Sequence, residues 1–389
     1  MKEWQKIKLK EICKFKYGAN LPANTRIKGN YPVYGSSGIV SHCIDYYVKG
    51  PGIIVGRKGT VGKVQYSPTD FFPIDTTFYI EHDSSKVDLK FLYYRLQISG
   101  LDTMNSDAAV PGLNRTTAIN QRINLPPLPT QKKIAKILSN YDDLIENNLK
   151  RIKLLEELGK LTYEEWFLRF KIDGKKLDID PSINLPFEWQ KKSVTECDAF
   201  KQDKRKIKEF EGEKKYYATA DVTRTAITED GEKINWDNKP SRAQIKPNNN
   251  TVWFARMSKT YKVLCFNNKN ITLQDSSVLS SGFAGFKARN RSCLPFLYFT
   301  INSDFFHESK DLYATGATQV SLNNDSMNFI KIIEPSAEQV EEFGNRMLPL
   351  IEEISTLRSK NQLLKEAKDF LLPRLMIGII DTVDMDIII

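Results

Sequence analysis

Cysteine and histidine are scarce in this sequence. Its 389 residues include five cysteines and three histidines, and apart from the adjacent His42 and Cys43 these residues lie far apart, with no C-x-x-C spacing. Few, scattered cysteines in odd number are typical of a reducing compartment, and the spacing argues against a zinc site. We therefore expect a protein of the reducing cytosol without a bound metal ion.

Long apolar segments are also missing. No run of eighteen consecutive apolar residues occurs, and the first residues, MKEWQKIKLKEI, lack the apolar core of a signal peptide. We expect a soluble, cytoplasmic protein.

Motifs for catalysis are missing as well. The segment GRKGTVGKV is similar to a phosphate-binding loop, but Gly56 and Gly62 are one residue too far apart, and Val64 stands where a hydroxyl side chain would bind magnesium. The segment NLPPLP at 124–129 is not the motif of an amino-methyltransferase, and no G-x-G-x-x-G follows a strand. The acidic residues near EGEKKYY do not form the carboxylate pattern of a metal-dependent nuclease. We expect a chain that is not an enzyme and has no cofactor of its own.

The sequence does contain enough apolar residues for real cores, together with an excess of positive charge. Hydrophobic residues make up 41% and aromatic residues 11%, which suffices for two or more domains. The 57 basic and 48 acidic residues give a net charge of +9. This charge favours an anionic partner such as nucleic acid or a membrane surface, although many basic proteins bind neither.

The second half of the chain repeats the first. EWQKIKLKEIC resembles EWQKKSVTEC, IIVGRKGTVGKVQYS resembles TVWFARMSKTYKVLCFN, PIDTTFYI resembles TLQDSSVLS, and AAVPGLN resembles ATQVSLN. The separation between matched residues rises from 185 at the first pair of segments to 209 at the last, as expected if the second copy contains insertions. This alignment matches Arg57 with Arg256 and Asp75 with Asp275, and it puts the extra residues mainly in 201–236. We expect the two aspartates to brace turns.

Each copy is followed by a predicted long helix. Apolar residues in both helices step by 4, 3, 4, 3, 4 and 3, which is the spacing of a coiled-coil seam. The seams are Ile134, Leu138, Tyr141, Ile145, Asn148, Ile152 and Leu155 in the first helix, and Phe343, Met347, Leu350, Ile354, Leu357, Asn361 and Leu364 in the second. We predict that the helices pair, although each could instead pack on its own domain through an ordinary amphipathic face.

Capping signals support these helices. Ser336 followed by Gln339 is the pattern of a capping box, and Thr130 is the candidate N-cap of the first helix. Pro373 predicts that the second helix ends near LLPRLMIG.

The seams also predict a register. If they pair through a twofold relation, the helices run antiparallel and the numbers of facing residues have a constant sum. A sum of 509 pairs Asn148 with Asn361 and Ile152 with Leu357. A buried asparagine pair costs stability and fixes register and direction. Alternatively, one asparagine is solvated where the helices splay.

We therefore predict an α+β fold in which two globular mixed α/β modules are separated by two long helices forming an antiparallel coiled coil, with a pseudo-twofold internal repeat. The expected parts are a first module at 1–128, a helix at 129–170, a second module at 171–335, a helix at 336–376 and a tail at 377–389. Within the modules, PGIIVGRKGTVGKVQYS and TVWFARMSKTYKVLCF predict hairpins, and KVDLKFLYYRLQIS predicts a short helix.

Over essentially its full length the chain resembles the specificity subunit of a type I restriction-modification enzyme. The segments that carry the resemblance are YPVYGSSGIV, GPGIIVGRKGTVGKV, PIDTTFYI, AAVPGLN, LPPLPTQKKIAKIL and DFLLPRLMIG, in this order and partly duplicated. The resemblance implies that each module is a target-recognition domain reading one half of a split DNA sequence.

The resemblance also implies partners. Two modification (methyltransferase) subunits would carry S-adenosylmethionine, and restriction subunits with a translocase activity would use ATP and magnesium, so no cofactor is expected on this chain. The implied ligand is double-stranded DNA with a bipartite target. This target should be asymmetric, because the two copies of the repeat have diverged most in the modules. The rival interpretations are a stand-alone nucleic-acid-binding scaffold and a chain that itself cleaves or methylates DNA.

The long helices would then set the gap between half-sites. About 38 helical residues make a rod of about 57 Å, which exceeds one turn of DNA, about 34 Å. Inserting one heptad into either helix is expected to lengthen the gap.

Candidate DNA-binding residues lie in turns and loops. Those of the matched hairpins are Arg57, Lys58 and Lys63 in the first module and Arg256, Lys259 and Lys262 in the second. Further candidates are Tyr34, Gly35, Ser36 and Ser37 in a small polar turn, Asn114 and Arg115 or Thr318 and Gln319 before each helix, and Lys204 and Arg205 in a basic run. Lysine suits phosphates, whereas arginine, asparagine and glutamine can read base edges. Each could instead be a tight turn, a loop cap or a solvated charge.

Overall fold

The computed structural model describes residues 4–104, 112–317 and 320–382. Contacts group the chain into two compact units, one formed by 1–145 with 363–389 and the other by 146–362. Each unit contains one globular module and a part of both long helices. Among the described residues, no helix is both long enough and apolar enough to cross a membrane.

The module of the first unit is built on a four-stranded and a three-stranded sheet. Its strands are β1 (Gln5–Lys8), β2 (Cys13–Tyr17), β3 (Tyr31–Gly35), β4 (Gly38–Cys43), β5 (Gly52–Gly56), β6 (Val64–Ser67), β7 (Phe72–Pro73), β8 (Thr77–His82) and β9 (Arg122–Leu125), and its helices are α1 (Leu89–Gln97) and α2 (Arg115–Asn120). The sheet orders are β2-β8-β5-β6 and β4-β3-β7, and β1 pairs with β9. Every residue of β5 is buried, because strands flank both of its edges and its side chains pack into cores on both faces of the sheet.

The first long helix, α3, covers Leu128–Phe167. The prediction that Thr130 is the N-cap is wrong, because the helix begins at Leu128, two residues before Thr130. Gln131 N already donates to Pro127 O, at 3.0 Å. Proline at the start of a helix costs little because the first amide groups have no intrahelical acceptor. The fully buried Gln131 side chain completes the start: it donates to Pro126 O at 2.8 Å and accepts from Asp88 N at 2.9 Å.

The module of the second unit repeats this plan with additional strands. Its strands are β10 (Lys171–Ile172), β11 (Lys175–Lys176), β12 (Ile179–Asp180), β13 (Leu185–Pro186), β14 (Gln190–Ser193), β15 (Phe200–Asp203), β16 (Lys214–Tyr217), β17 (Val222–Thr223), β18 (Ala226–Ile227), β19 (Glu232–Ile234), β20 (Ala243–Ile245), β21 (Thr251–Ala255), β22 (Val263–Phe266), β23 (Ser277–Ser280), β24 (Phe283–Ala288) and β25 (Lys331–Glu334). Its helices are α4 (Ile271–Ser276), α5 (Leu294–Ile301) and α6 (Asp304–Leu312), and α7 (Ala337–Met376) follows.

The sheet topology confirms the internal repeat. The order β15-β24-β21-β22 matches β2-β8-β5-β6, β14 pairs with β25 as β1 pairs with β9, and β16 lies parallel to β23 as β3 lies parallel to β7. The extra strands β17, β18 and β19 fall in the predicted insertion at 201–236. Both predicted hairpins, β5 with β6 and β21 with β22, are present.

One part of the sequence alignment is wrong. Strand β8 pairs with β5 as β24 pairs with β21, so Asp75, two residues before β8, corresponds to a position just before β24. Asp275 instead lies within α4, eight residues before β24 begins. An aspartate followed by two small residues occurs in both segments and produced the false match.

The two seams are packed as the heptad pattern predicts, since none of their members is exposed. In the first unit, Ile134 and Leu138 near the start of α3 share a core with Leu372 and Leu375 near the end of α7. There Asp142 also accepts a hydrogen bond from Lys368 Nζ at 2.6 Å.

In the second unit the predicted register is present. Asn148 Nδ2 donates to Asn361 Oδ1 at 2.8 Å. Eighteen residues further along α3, Trp166 packs edge-on against Phe343, which precedes Asn361 by eighteen residues, with 5.6 Å between ring centroids. The helices therefore run antiparallel with the constant sum that the sequence predicts.

The ends of α7 also agree with the prediction. Gln339 N donates to Ser336 Oγ at 3.4 Å, and Ser336 Oγ donates to Gln339 Oε1 at 3.0 Å. The helix ends at Met376, within the predicted segment.

Candidate nucleic-acid interface

The two basic hairpins share one backbone framework. Arg57 O accepts from Leu113 N at 2.9 Å, and Arg256 O accepts from Leu322 N at 2.9 Å. The loop that precedes each long helix is therefore fastened to the turn of its hairpin, as the alignment of Arg57 with Arg256 predicts.

A lysine at the far end of each turn makes an equivalent bond. Lys63 Nζ donates to Ser37 O at 2.7 Å, and Lys262 Nζ donates to Thr219 O at 2.7 Å. Both ammonium groups thus tie the hairpin to the loop after β3 or after β16. Lysine at this position has a framework role in addition to any contact with phosphate.

Three of the four candidates in the YGSSG turn are buried, which favours the tight-turn alternative for Tyr34, Gly35 and Ser36 over contact with DNA. Tyr34 is 5% exposed and packs against Phe71, and Ser36 Oγ donates to Thr76 O at 2.6 Å. Gly35 is also buried, and only Ser37 is exposed. The reason is that β3 is the central strand of its sheet, so its end is covered by β4 and β7.

Arg57 and Arg115 both lie over one aromatic ring. Their guanidinium carbons are 5.4 Å and 5.6 Å from the centroid of Tyr17, which is 53% exposed at the end of β2. Arg57 is held by two bonds from its side chain to Asp75 O, at 3.0 and 2.6 Å. Lys58 is exposed beside them and bridges to Gly112.

Asn114 is the N-cap of α2. Its Oδ1 accepts from Thr117 N at 3.0 Å, and the matching Asn323 accepts from Ser326 N at 2.7 Å. The capping alternative therefore accounts for Asn114. Thr318 and Gln319 lie outside the described residues.

In the second module Arg256 is engaged by three acceptors of its own unit. It donates to Phe283 O at 3.1 Å, to Leu322 O at 3.1 Å and to Asn324 Oδ1 at 2.8 Å. Burial lowers the pKa of this guanidinium. These bonds use three of the five N–H groups of Arg256 and fix its guanidinium, so its geometry favours a structural role over the DNA contact that the sequence suggests.

The other basic candidates of this module are exposed but differ in their partners. Arg205 is paired with the buried Asp203, whose Oδ1 accepts from Arg205 Nε at 2.9 Å. Lys204 is exposed next to this pair. Lys259 is exposed with φ +57°, and its backbone amide donates to Asp311 Oδ1 at 2.9 Å.

Sequence reasoning missed the support beneath the second hairpin. Lys310 on α6 is fully buried, and its Nζ donates to Met257 O at 2.7 Å and to Thr260 O at 3.1 Å, holding the turn that carries Lys259. Burial lowers the pKa of Lys310, and Asp311, 3.1 Å away, opposes that shift. A lysine on a short charged helix carries no sequence signal for this role.

Sequence reasoning also missed Tyr17. The alternation in CKFKY, with Cys13 and Phe15 buried, identifies a strand and places Tyr17 on its inner face. The strand ends there, so the ring is exposed. Among the described residues, no group of three or more His, Cys, Asp or Glu side chains could hold a metal ion.

The long helices carry a second, exposed apolar stripe, which we call the outer stripe. In the second unit it consists of Leu154, Leu158, Leu161 and Leu168, and in the first unit of Leu363, Phe370 and Ile377, all between 45% and 65% exposed. The three residues of the first unit are Leu154, Leu161 and Leu168 displaced by the repeat offset of 209. At 100° per residue the outer stripe lies about 110° around each helix from the seam.

Comparison with known proteins shows which class this chain is similar to. Residues 1–157 match the family model of the type I restriction modification DNA specificity domain. The crystal structure of a type I restriction-modification S subunit from M. genitalium has the same fold, with a TM-score of 0.61 and 17% identity over 96% of each chain.

Curated relatives extend the match along the chain. The MjaIX specificity subunit of Methanocaldococcus jannaschii is 22% identical over 74% of this chain and 68% of its own length. The HindI specificity subunit of Haemophilus influenzae is 21% identical over 79% and 81%. The match to the MjaVIII subunit of M. jannaschii, 27% identical, spans 36% of this chain and only 30% of that relative. The chain is thus similar to specificity subunits of type I restriction-modification enzymes over most of its length, which confirms the resemblance seen in the sequence.

Proposed function

We propose that this chain reads a bipartite, asymmetric target in double-stranded DNA and directs partner subunits that methylate and cut DNA. Each module would read one half-site, and the paired helices would set the gap. The observation that carries this proposal is one hairpin framework, present twice, with unlike side chains around each turn: Tyr17 and Arg115 beside Arg57, but Asn324 beside Arg256. Two readers of similar build and different chemistry suit two different half-sites.

The charge of the chain supports a DNA ligand. A net charge of +9 favours contact with phosphates, and each phosphate that a basic side chain neutralises makes affinity more dependent on salt. The cofactors of the reaction, S-adenosylmethionine, ATP and magnesium, would be bound by the partners.

The target can be found by selection from a random duplex library with the full chain bound to its methyltransferase. We expect two conserved, non-identical blocks separated by a gap of fixed length. A single continuous block would contradict the proposal. If the chain selects the same two blocks without a methyltransferase and copurifies with none, the stand-alone scaffold is the better account.

The gap is tested by inserting one heptad into both helices, between Ile145 and Glu146 and between Leu363 and Leu364. These points face each other in the register, so the seam is kept. Seven residues add about 10.5 Å of helix, and we expect the selected gap to grow by about three base pairs. The same seven residues inserted at the exposed Gly174 turn should leave the gap unchanged. An unchanged gap in the helix variant would refute the proposal that the paired helices set the gap.

The outer stripe supports two copies of one modification subunit as partners. The outer stripe occurs twice, at the repeat offset, and so offers the same apolar surface to two identical helical partners. A single partner would need only one such stripe. Restriction subunits would join the resulting assembly.

This partner assignment can be tested through stoichiometry. Leu161→Glu in one unit or Phe370→Glu in the other should reduce the copurified methyltransferase from two copies to one, and the double variant should retain none. Lys153→Glu, an exposed change on another face of α3, is the control. Two retained copies in the double variant would rule out the outer stripe as the docking surface.

A further inference from the structure

The first module presents an exposed aromatic ring with two guanidinium groups over it. Tyr17 is 53% exposed, and its ring packs against the buried Phe78 with 5.0 Å between centroids. Arg57 and Arg115 lie within 5.6 Å of the same ring. Contact with the core therefore fixes the ring, and the ring in turn orients both cations.

The two arginines differ in what their donors reach. Arg57 uses Nε and Nη2 to hold Asp75 O. Arg115 Nε is buried, yet it has no hydrogen-bond acceptor among the described residues. A buried donor without an acceptor destabilises a protein. Because no bond from Nε to the described residues holds the Arg115 guanidinium, a base would be contacted through its terminal nitrogens.

The equivalent positions in the second module are built differently. The pairing of β15 with β24 repeats that of β2 with β8 and puts Lys204 where Tyr17 stands. The matching N-caps, Asn114 and Asn323, put Asn324 where Arg115 stands. There Asn324 accepts from Arg256, so this module has no ring and its guanidinium is bonded within the protein.

We propose that Tyr17 and Arg115, with Arg57 as a positioning residue, form a guanine-reading site in the first module, and that the second module has no counterpart. This inference rests on the proposed function. A guanidinium is planar, and two of its N–H groups match O6 and N7 of guanine in the major groove. Stacking also limits the side-chain freedom that would be lost on binding.

The experiment is the same duplex selection, carried out with Arg115→Lys, Tyr17→Ala and Tyr17→Phe in the full chain with its methyltransferase. Arg115→Lys keeps the charge but removes the pair of coplanar donors. We expect it to reduce the preference for guanine at one position by about 5- to 150-fold, as the loss of one bidentate contact does. The salt dependence of binding should remain the same.

The other variants test the ring. Tyr17→Ala should weaken the same guanine preference, whereas Tyr17→Phe, which keeps the ring, should retain it. Arg122→Lys, the same change at an exposed arginine of β9, is the matched control and should alter nothing. The second half-site, unaltered in every variant, reports that the chain is folded.

The outcomes separate the two levels of the argument. A two-block target that keeps its guanine with Arg115→Lys and Tyr17→Ala overturns this inference but leaves the proposed function intact. A uniform loss of affinity with unchanged base preference would make Arg115 a phosphate contact and would also overturn it. If the unmodified chain selects no two-block target, the proposed function fails first.

Discussion

The asparagine pair of the long helices yields a quantitative prediction. Asn148 Nδ2 donates to Asn361 Oδ1, and Asn361 Nδ2 is buried without a partner among the described residues. Asn148 is 9% exposed, and Asn361 is only partly buried. Replacing one asparagine by leucine leaves the other amide without its partner, which costs about 1–3 kcal/mol for a fully buried group. Because Asn361 is partly exposed, we expect Asn148→Leu to lower the free energy of unfolding by about 1–2 kcal/mol.

Replacing both residues should have the opposite effect. With leucine at both positions no amide remains unpaired, and two apolar side chains fill the layer between them. We expect the double variant to be at least as stable as the natural chain, with a coupling energy of about 1–3 kcal/mol in a double-mutant cycle. Urea unfolding of all four proteins measures this coupling. Additive effects would refute the pairing in solution.

Register is measured separately. Spin labels at the exposed positions 150 and 360 should give one distance in the natural chain, because all five native cysteines are buried and do not compete for label. In the double-leucine variant we expect a broader distribution, since a slip of one heptad moves the helices by about 10.5 Å. An equally narrow distribution would mean that the rest of the seam fixes the register.

Two further predictions concern α6. Burial, reinforced by Lys310, lowers the pKa of His307 to about 4 from its ordinary value of 6.5, with Asp311 and Asp304 opposing the shift. Between pH 6.5 and 4 the unfolded chain therefore binds a proton at His307 that the folded chain does not bind, and the free energy of unfolding should fall by up to about 3 kcal/mol over this range. Urea titrations at each pH should show a shallower fall for His307→Asn. Parallel curves would mean that His307 does not cause the pH dependence. Lys310→Met removes the ammonium that binds two carbonyl groups and Asp311, so we expect the free energy of unfolding to fall by about 3 kcal/mol. This value is at the low end for a buried pair because Asp311 keeps bonds from Lys259 N and Tyr261. Thermal unfolding measures the change, and a fall below about 1 kcal/mol would mean that the turn does not depend on this lysine.

The helices and their register could be predicted from sequence because a heptad pattern is a long periodic signal. Fourteen seam positions constrain one another, so the single asparagine in each seam is enough to propose the layer in which they meet. The two hairpins were predictable for a similar reason, since β-branched residues alternate on both sides of a short turn. These signals are local and repeat, and tertiary packing did not override them.

The errors arise where position in the sheet, and not local pattern, decides the outcome. Tyr34 and Ser36 have the composition of an exposed turn, but β3 is a central strand and its end is covered. Thr130 is a good N-cap residue, but the helix begins two residues before it, where the buried Gln131 side chain bonds Pro126 O and Asp88 N. Tyr17 was missed because nothing in the sequence indicates that Arg57 and Arg115, 58 residues apart, meet over one ring.

A shared framework explains how one plan can serve two unlike readers. The backbone of Arg57 or Arg256 closes each hairpin onto the loop before the long helix, and a lysine fastens the other end of the turn. None of these bonds depends on the residue that follows the N-cap asparagine, which is Arg115 in one module and Asn324 in the other. At that position Asn324 accepts a further bond from Arg256, whereas Arg115 brings a second guanidinium to Tyr17, and the hairpin backbone is the same in both cases. On the proposed function, the half-site can therefore change through a few side chains at the turn without any cost to the strands and helices that hold it.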